Sequence, residues 1–482
     1  MKKIVIFIFV LFIPFFVFAQ ENSSDLENEL FGGDEDTLIS AEEASSENKS
    51  GLKFKADLEK ATLSLESKKL RIGGNLSSSM GIDYAWVDPY SKKDDYLKSF
   101  KDGKGSFNTI LNGSLFFDAR PSEDLKLYGK FLFGFPFEKS LSGALTVPKN
   151  SFGPLQPNDI SLPIGVNGAA NIKIQELYTD FSAKNIAFFR FGKHAVKWGT
   201  GYFYSPADVI NISRIDPQDP TADREGGISL RTHIIIPKTQ HNIWLYLLPP
   251  GQGDGYDPKY TAGAAKGEFV VGNWELGFGG WYKYEKAPRL ITTVSGSIAG
   301  KVAVFGEGVF AWGSDYTYYK ADMSSYPEKN KPFFQATIGG SYSNADTNTS
   351  IALQYFYNGF GYSNTDAVVS IFEQAKNPAL LFDASFKKKL QNVLAMGNIG
   401  QHYIALNISQ NKLGTDKLSL NIFQQFAISE LEGFSKLTLN WKIYKFASMS
   451  TGPSFSYPLS PSSKTKGKIG YSLSFRLGGG TF

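Results

Sequence analysis

Cysteine is missing altogether from the 482 residues, and histidine is scarce, confined to His194, His233, His241 and His402. Without thiols there can be no disulfide framework, no thiolate metal site and no lipid-bearing N-terminal cysteine. The histidines lack the i, i+4 spacing and companion glutamate of a zinc helix. No G-x-S-x-G elbow occurs, and the Gly478–Gly480 run follows a candidate strand instead of opening a phosphate-binding helix. The chain is therefore read as a non-enzyme, with no catalytic, metal or cofactor-binding residues expected.

Long apolar runs are confined to the start of the chain. MKKIVIFIFVLFIPFFVFAQ has two lysines, an apolar stretch from Ile4 to Phe18, and Val17 and Ala19 placed for cleavage before Gln20. This reads as a secretory signal peptide over 1–19. An uncleaved anchor is the other reading, weakened by the short run and by Pro14. Beyond it no segment approaches the length of a membrane helix. Residues 21–50 carry ten acids, among them Asp34, Glu35, Asp36, Glu42 and Glu43, against Lys49 alone. With so little apolar content, 20–66 is expected to be a largely disordered acidic tail in the periplasm. The rest of the chain is net basic, but no nucleic-acid fold signature accompanies that charge, so no nucleic-acid partner is expected.

Aromatic residues and glycine are abundant: 40 Phe, 24 Tyr and 48 Gly. An exported chain of this kind suits an outer-membrane β-barrel with aromatic girdles. A large secreted β-sandwich or β-helix would share the composition. Period-two alternation decides between them. It recurs over 69–86, 106–119, 124–137, 172–183, 186–193, 227–236, 240–248, 262–271, 274–285, 289–299, 301–312, 333–342, 349–358, 401–409, 416–427, 434–443, 448–455 and 467–477. Each stretch is about the nine to eleven residues a tilted strand needs to cross a bilayer. Every second connection is short, and most of the others are long. That segregation is the barrel pattern of short periplasmic turns and long extracellular loops.

In LKLYGKFLFGFPF, 125–137, the odd positions are apolar and the even ones begin Lys126, Tyr128, Lys130. In a closed sheet the greasy face meets lipid and the lysines meet a wet lumen. The expected architecture is thus an all-β, transmembrane, antiparallel up-and-down barrel over 67–482, of about 18 strands (16–18). In NIKIQELYTDFSA, 171–183, the apolar parity slips, which predicts a bulge near Gln175 or Glu176. Two stretches depart from strand periodicity. Residues 359–400 contain two short helical patterns divided by Asn377-Pro378, either a cap on the barrel mouth or a plug within it. Residues 194–226 form a long polar loop that either lies outside or folds into the lumen as a constriction.

The residues R-F-G-K…W-G-x-G…P-x-D-x-x-N, Arg190 to Asn211, resemble a signature of bacterial outer-membrane porin and channel-type families, a tryptophan-glycine step after a central strand. The resemblance implies passive diffusion of small hydrophilic solutes, anionic or saccharide, through an outer-membrane channel. Terminal Phe482 resembles the closing aromatic that the barrel-assembly machinery reads, which would make that machinery and outer-membrane lipid the partners. Two alternatives stay open: a surface adhesin or antigen on a closed barrel, and a gated exporter or lipid transporter with a helical lid.

Charged rings at a constriction set ion preference. The candidates there are Lys193, Lys197, Trp198, Asp208, Arg214, Asp216, Asp219, Asp223, Arg224 and Glu225. For the Asp-Pro and Pro-Ala-Asp steps among them, ordinary turn chemistry is the competing account. Lumen-facing positions lean basic: Lys126, Lys130, Arg190, Arg231, Lys436, Lys442, Lys468 and Arg476, against few acids such as Glu275 and Glu307. On a closed barrel they would form a basic stripe favouring anions. Trp281, Tyr282 and Tyr284 suit either sugar stacking or the interfacial girdle.

Overall fold

The computed structural model describes residues 70–87, 104–122, 124–136, 171–183, 186–222, 224–251, 254–375, 377, 380, 382–445, 447–459 and 468–477. The expected signal peptide 1–19, the acidic segment 20–66, Asp223 and Phe482 lie outside them.

The strands are β1 Leu70–Val87, β2 Lys104–Ser122, β3 Leu125–Pro136, β4 Asn171–Ala183, β5 Ala187–Lys193, β6 Ile228–Ile235, β7 Asn242–Leu248, β8 Ala262–Val271, β9 Trp274–Tyr282 and β10 Arg289–Ile298. They continue as β11 Val302–Trp312, β12 Thr317–Tyr319, β13 Ser325–Pro327, β14 Pro332–Asn344, β15 Thr349–Asn358, β16 His402–Gln410, β17 Leu418–Ala427, β18 Glu432–Tyr444, β19 Ala447–Pro458 and β20 Lys468–Leu477. All but the β12–β13 hairpin belong to one 18-stranded antiparallel sheet. Each strand pairs with the next, β11 passes to β14, and β20 returns to β1 with Trp86 opposite Ile469 and Val87 opposite Lys468. The sheet closes on itself as an up-and-down barrel, leaving no free edge.

The side-chain period of two sorts each strand by face. On β15, Ile351 and Leu353 are 38% and 51% exposed on the outside, while Ala352, Gln354 and Phe356 are buried within. Phe278, Leu290 and Ile338 extend the outer apolar band, with Tyr282 and Trp312 at the long-loop rim and Trp441 and Tyr444 at the turn rim. An apolar exterior edged by aromatics is the surface of a membrane-spanning barrel. Trp281 is not part of it: it sits on the inward parity with the Arg289 guanidinium 5.2 Å from its ring centre. On β3 the inward parity carries Lys126, Tyr128 and Lys130, and Leu127 is exposed outside. On β4 the ladder passes from Glu176, opposite Lys130, to Ile174, opposite Phe131, which leaves Gln175 as the bulged residue.

Helices α1 Asp366–Ala375 and α2 Ala384–Leu394 occupy the connection between β15 and β16. Asp383 caps α2, its carboxylate accepting from the Phe386 N–H at 2.6 Å. Val368, Ile371, Phe386, Leu390 and Val393 pack with Tyr318 and Tyr319 of the β12–β13 hairpin and with the strand-end residues Phe333, Phe360 and Tyr362. These elements form a cap over the long-loop rim. A different segment packs against the lumen wall.

Candidate functional site

Residues 194–226 leave the end of β5 and turn into the barrel, where two inward side chains of the wall clasp their backbone. Glu307 of β11 accepts from Thr200 N–H and Gly201 N–H, each at 2.5 Å, from Ala207 N–H at 2.8 Å and from the Ser205 hydroxyl at 2.9 Å. Gln354 of β15 accepts from the N–H groups of Tyr202, Phe203 and Tyr204 at 3.1, 2.6 and 3.3 Å, and donates to the Tyr204 carbonyl at 2.6 Å. The tight turn explains the W-G-x-G step. A Cβ on Gly199 would lie 2.0 Å from Ser205 Oγ, and one on Gly201 would lie 1.9 Å from the Tyr204 carbonyl oxygen.

Apolar packing seats the same segment. Trp198, 1% exposed, stands edge-on to Tyr246 at 5.0 Å in a cluster with Ile210, Ile291 and Val309. Phe203 and Tyr204 pack among Ala352, Phe356, Tyr403, Ala405 and Phe423. Lys266 of β8 donates to the Trp198 carbonyl at 3.0 Å and pairs with Glu268 at 2.7 Å. The segment thus covers the wall from β7 through β17.

The candidate residues fall into three groups. At the base of the segment, Glu225 bridges Lys193 at 2.8 Å and Lys173 at 2.5 Å, and Arg224 pairs with Asp208 at 2.5 Å. Asn211 joins Asp208 to the Val196 backbone, with the Val196 N–H donating to its side-chain oxygen at 2.8 Å. Nearer the cap, Arg214 donates to the carbonyls of Ala395 and Met396, at the C-terminal end of α2, and to the Tyr316 hydroxyl. Asp216 and Asp219 carry turn chemistry, accepting from Gln218 N–H and the Thr221 hydroxyl, and are exposed. Lys197 is exposed as well.

The third group lies on the wall. Arg190 binds Asp180 through two hydrogen bonds of 2.7 and 2.9 Å and stacks 3.9 Å from the Tyr178 ring centre. Arg231 lies 5.5 Å from the Trp244 ring centre; both arginines are buried. Lys126 sits beside Asp118 and between the rings of Tyr128 and Tyr178. Lys130, Lys436, Lys442 and Arg476 occupy inward positions of their strands, and the side chain of Lys468 lies outside the described residues. The arc from β18 through β3, which no described residue of the segment covers, also holds, at that parity, Ser448, Ser450, Ser454, Ser472 and Ser474.

Sequence reasoning named Glu307 only as a lumen acid, and did not name Gln354, Gln425 or Lys266. A signal for them existed. Ala352, Phe356, Ala405 and Phe423 put apolar side chains on the face that other strands keep polar, which requires something to pack inside.

Under the cap, a cavity of about 330 Å³ is bounded by the segment (Tyr204, Arg214, Asp216), the wall (Gln335, Gln425) and Asn398. Just outside the strands, Glu430 accepts from the Gly400 N–H at 2.8 Å and the Tyr403 hydroxyl at 2.5 Å. Burial pushes the Glu430 carboxyl up, against the pull of those hydrogen bonds. A raised acid contributes its full stabilisation below the ordinary carboxylate range and loses it as pH climbs through the raised value. Hydrogen exchange at Gly400 is therefore expected to lose protection by about tenfold per pH unit within that window, beyond the intrinsic rate change. Glu430→Gln should abolish the pH dependence, and equal profiles in both proteins would refute the assignment.

Neither a protein-family model nor a curated protein matches the chain. Among solved structures it is similar to Pseudomonas aeruginosa OccK11 (OpdR), at 9% identity over 84% of this chain and 95% of that one, with a TM-score of 0.45. It is similar to Acinetobacter baumannii OccAB1 at 9% identity over 85% and 96%, TM-score 0.46. Salmonella typhi OmpF, in complex with daunomycin, aligns at 8% identity over 86% and 100%, TM-score 0.40. Identity this low transfers no solute or ligand to the present chain.

Proposed function

We propose that the chain is a porin-like channel of the cell outer membrane, passing small hydrophilic solutes by diffusion with a preference for anions. Outer-membrane lipid would surround the apolar band, and the barrel-assembly machinery would insert it. The observation that carries this reading is that the described residues fill the lumen on one side only. The segment 194–226 is clasped to β11 and β15, and the opposite arc keeps serines and the cations Lys130, Lys436, Lys442 and Arg476. A narrowed passage with one basic wall concentrates anions, because low-dielectric walls focus the field of those charges. Half-buried ion pairs at the segment's base, Arg224–Asp208 and Lys193–Glu225, would fix the width of the passage and leave its selectivity to the arc.

Reversal potentials in a salt gradient across planar bilayers test the reading. The parent should be anion-selective. Lys130→Glu with Lys436→Glu should lower the anion-to-cation permeability ratio by about tenfold. Both sites lie away from the clasp, so conductance should persist. A sealed barrel that carries no current in either form would overturn the channel reading and favour the adhesin.

A further inference from the structure

The cavity of about 330 Å³ under the cap is lined by hydrogen-bonding groups that the protein leaves open. Gln335 and Gln425 reach it from the inward parity of β14 and β17. Each directs its amide N–H to a neighbour, Asn358 at 2.7 Å and the Tyr204 hydroxyl at 2.6 Å, and among the described residues neither side-chain carbonyl has a donor. The Asn398 carboxamide bonds to no described residue, and Asp216 accepts from the Gln218 N–H through one carboxylate oxygen, leaving the other open. On the donor side stand the Arg289 Nε–H, buried and unpartnered, and the Tyr316 hydroxyl, which accepts from Arg214 and keeps its own proton to give.

That mixture decides the chemistry of an occupant. A carboxylate offers acceptors alone and would meet the open oxygens of Gln335, Gln425 and Asp216, which repel it. An ammonium offers donors alone and would face the Arg289 guanidinium as a like charge. A hydroxyl both gives a proton and accepts, so a ring of hydroxyls answers the two sets at once. The other charges around the cavity are already answered: Arg214 by the Ala395 and Met396 carbonyls, Asp208 by Arg224, and one Arg289 nitrogen by Asp315 at 3.3 Å. Phe356 and Ile215 supply apolar lining. The volume lies at the small end of the roughly 300–1,000 Å³ of ligand sites.

We propose that this cavity binds a neutral, polyhydroxylated solute the size of a single sugar ring. Gln335, Gln425 and Asp216 accept from its hydroxyls, Arg289 and Tyr316 donate to them, and Asn398 does either. The site deepens the channel reading by naming a solute class: the basic arc sets ion preference, whereas this cavity recognises an uncharged passenger. It rests on that reading for the solute's route to the cavity, and not for the binding itself.

Binding is measured on the full chain, folded in a detergent with no sugar headgroup, by saturation-transfer NMR against D-glucose, D-galactose and D-mannose. At least one of these sugars should take up saturation from the protein, and neither acetate nor inorganic phosphate should displace it. Asn398→Ala and Gln335→Leu should each weaken binding by about fivefold, the loss of one hydrogen bond. The Asn398 side chain bonds to no other described residue, so Asn398→Ala keeps the cap in place. The heat-resistant shift on gels checks that both variants fold. Lys301→Ala, on the β10–β11 turn, should bind like the parent. Silence from all the sugars, displacement by either anion, or unchanged affinity in the folded Asn398→Ala and Gln335→Leu proteins overturns the proposal. A protein that binds sugar in this way but carries no current in bilayers would sink the channel reading and leave the site standing.

Discussion

Channels with Glu307 and Gln354 both replaced by Ala should carry roughly twofold or more current per open pore than the parent, with noisier open states. The two side chains together accept six backbone N–H groups, from Thr200, Gly201, Ala207, Tyr202, Phe203 and Tyr204. Removing the acceptors leaves those donors buried without partners, at about 1–3 kcal/mol each. Burial of the Phe203 and Trp198 side chains holds the segment by only about 1.5–3 kcal/mol apiece. The orphaned donors outweigh that, so the 200–207 turn leaves the wall and the passage widens. Gln354→Ala alone keeps the Glu307 cradle and should change conductance less. If the double variant conducts like the parent at equal expression and folding, the segment's position is not set by this clasp.

The second large effect concerns which face meets lipid. Leu353 of β15 and Leu406 of β16 are opposite one another, both on the outward parity near mid-strand. An arginine facing lipid near the midplane costs about 2–4 kcal/mol, which lowers the folding equilibrium by roughly 30- to 900-fold. Leu353→Arg with Leu406→Arg should compound the two costs and add repulsion between adjacent like charges. Folding into liposomes, read by the heat-resistant shift on gels, should fail for the double variant. Asn407→Lys, one residue from Leu406 but on the inward parity, should fold like the parent. Normal folding of the arginine pair would mean this face is wet, and the barrel would not be a membrane span.

Strands with unbroken alternation were legible because period-two sorting between lipid and water acts residue by residue. The β18 row Leu437, Leu439, Trp441 against Lys436, Asn440, Lys442 is such a case. The bulge at Gln175 was legible for the same reason, since a slip of one residue moves Ile172 and Leu177 to opposite parities. The β12–β13 hairpin was not: Thr317–Tyr319 and Ser325–Pro327 are too short to establish a period. Trp281 misled as a neighbour of Tyr282, for adjacent strand residues face opposite ways and only Tyr282 is outside. The clasp was illegible for a different reason. Its partners lie 100 and 151 residues apart, Ala207 with Glu307 and Phe203 with Gln354, and no local pattern encodes a contact at that range. The charges around 208–225 were identified as a group, but their pairing into Lys173–Glu225–Lys193 and Asp208–Arg224 depends on the bulge and the fold of the segment.

Threading order follows from where those anchors fall. The tongue between β5 and β6 emerges from the ribosome long before the residues that will grip it on β11 and β15. A cylinder that sealed its β1–β20 seam early would shut the tongue out, with its buried amides still bonded to water. A seam that zips around a tongue already seated buries those amides with their acceptors, Glu307 and Gln354, in place.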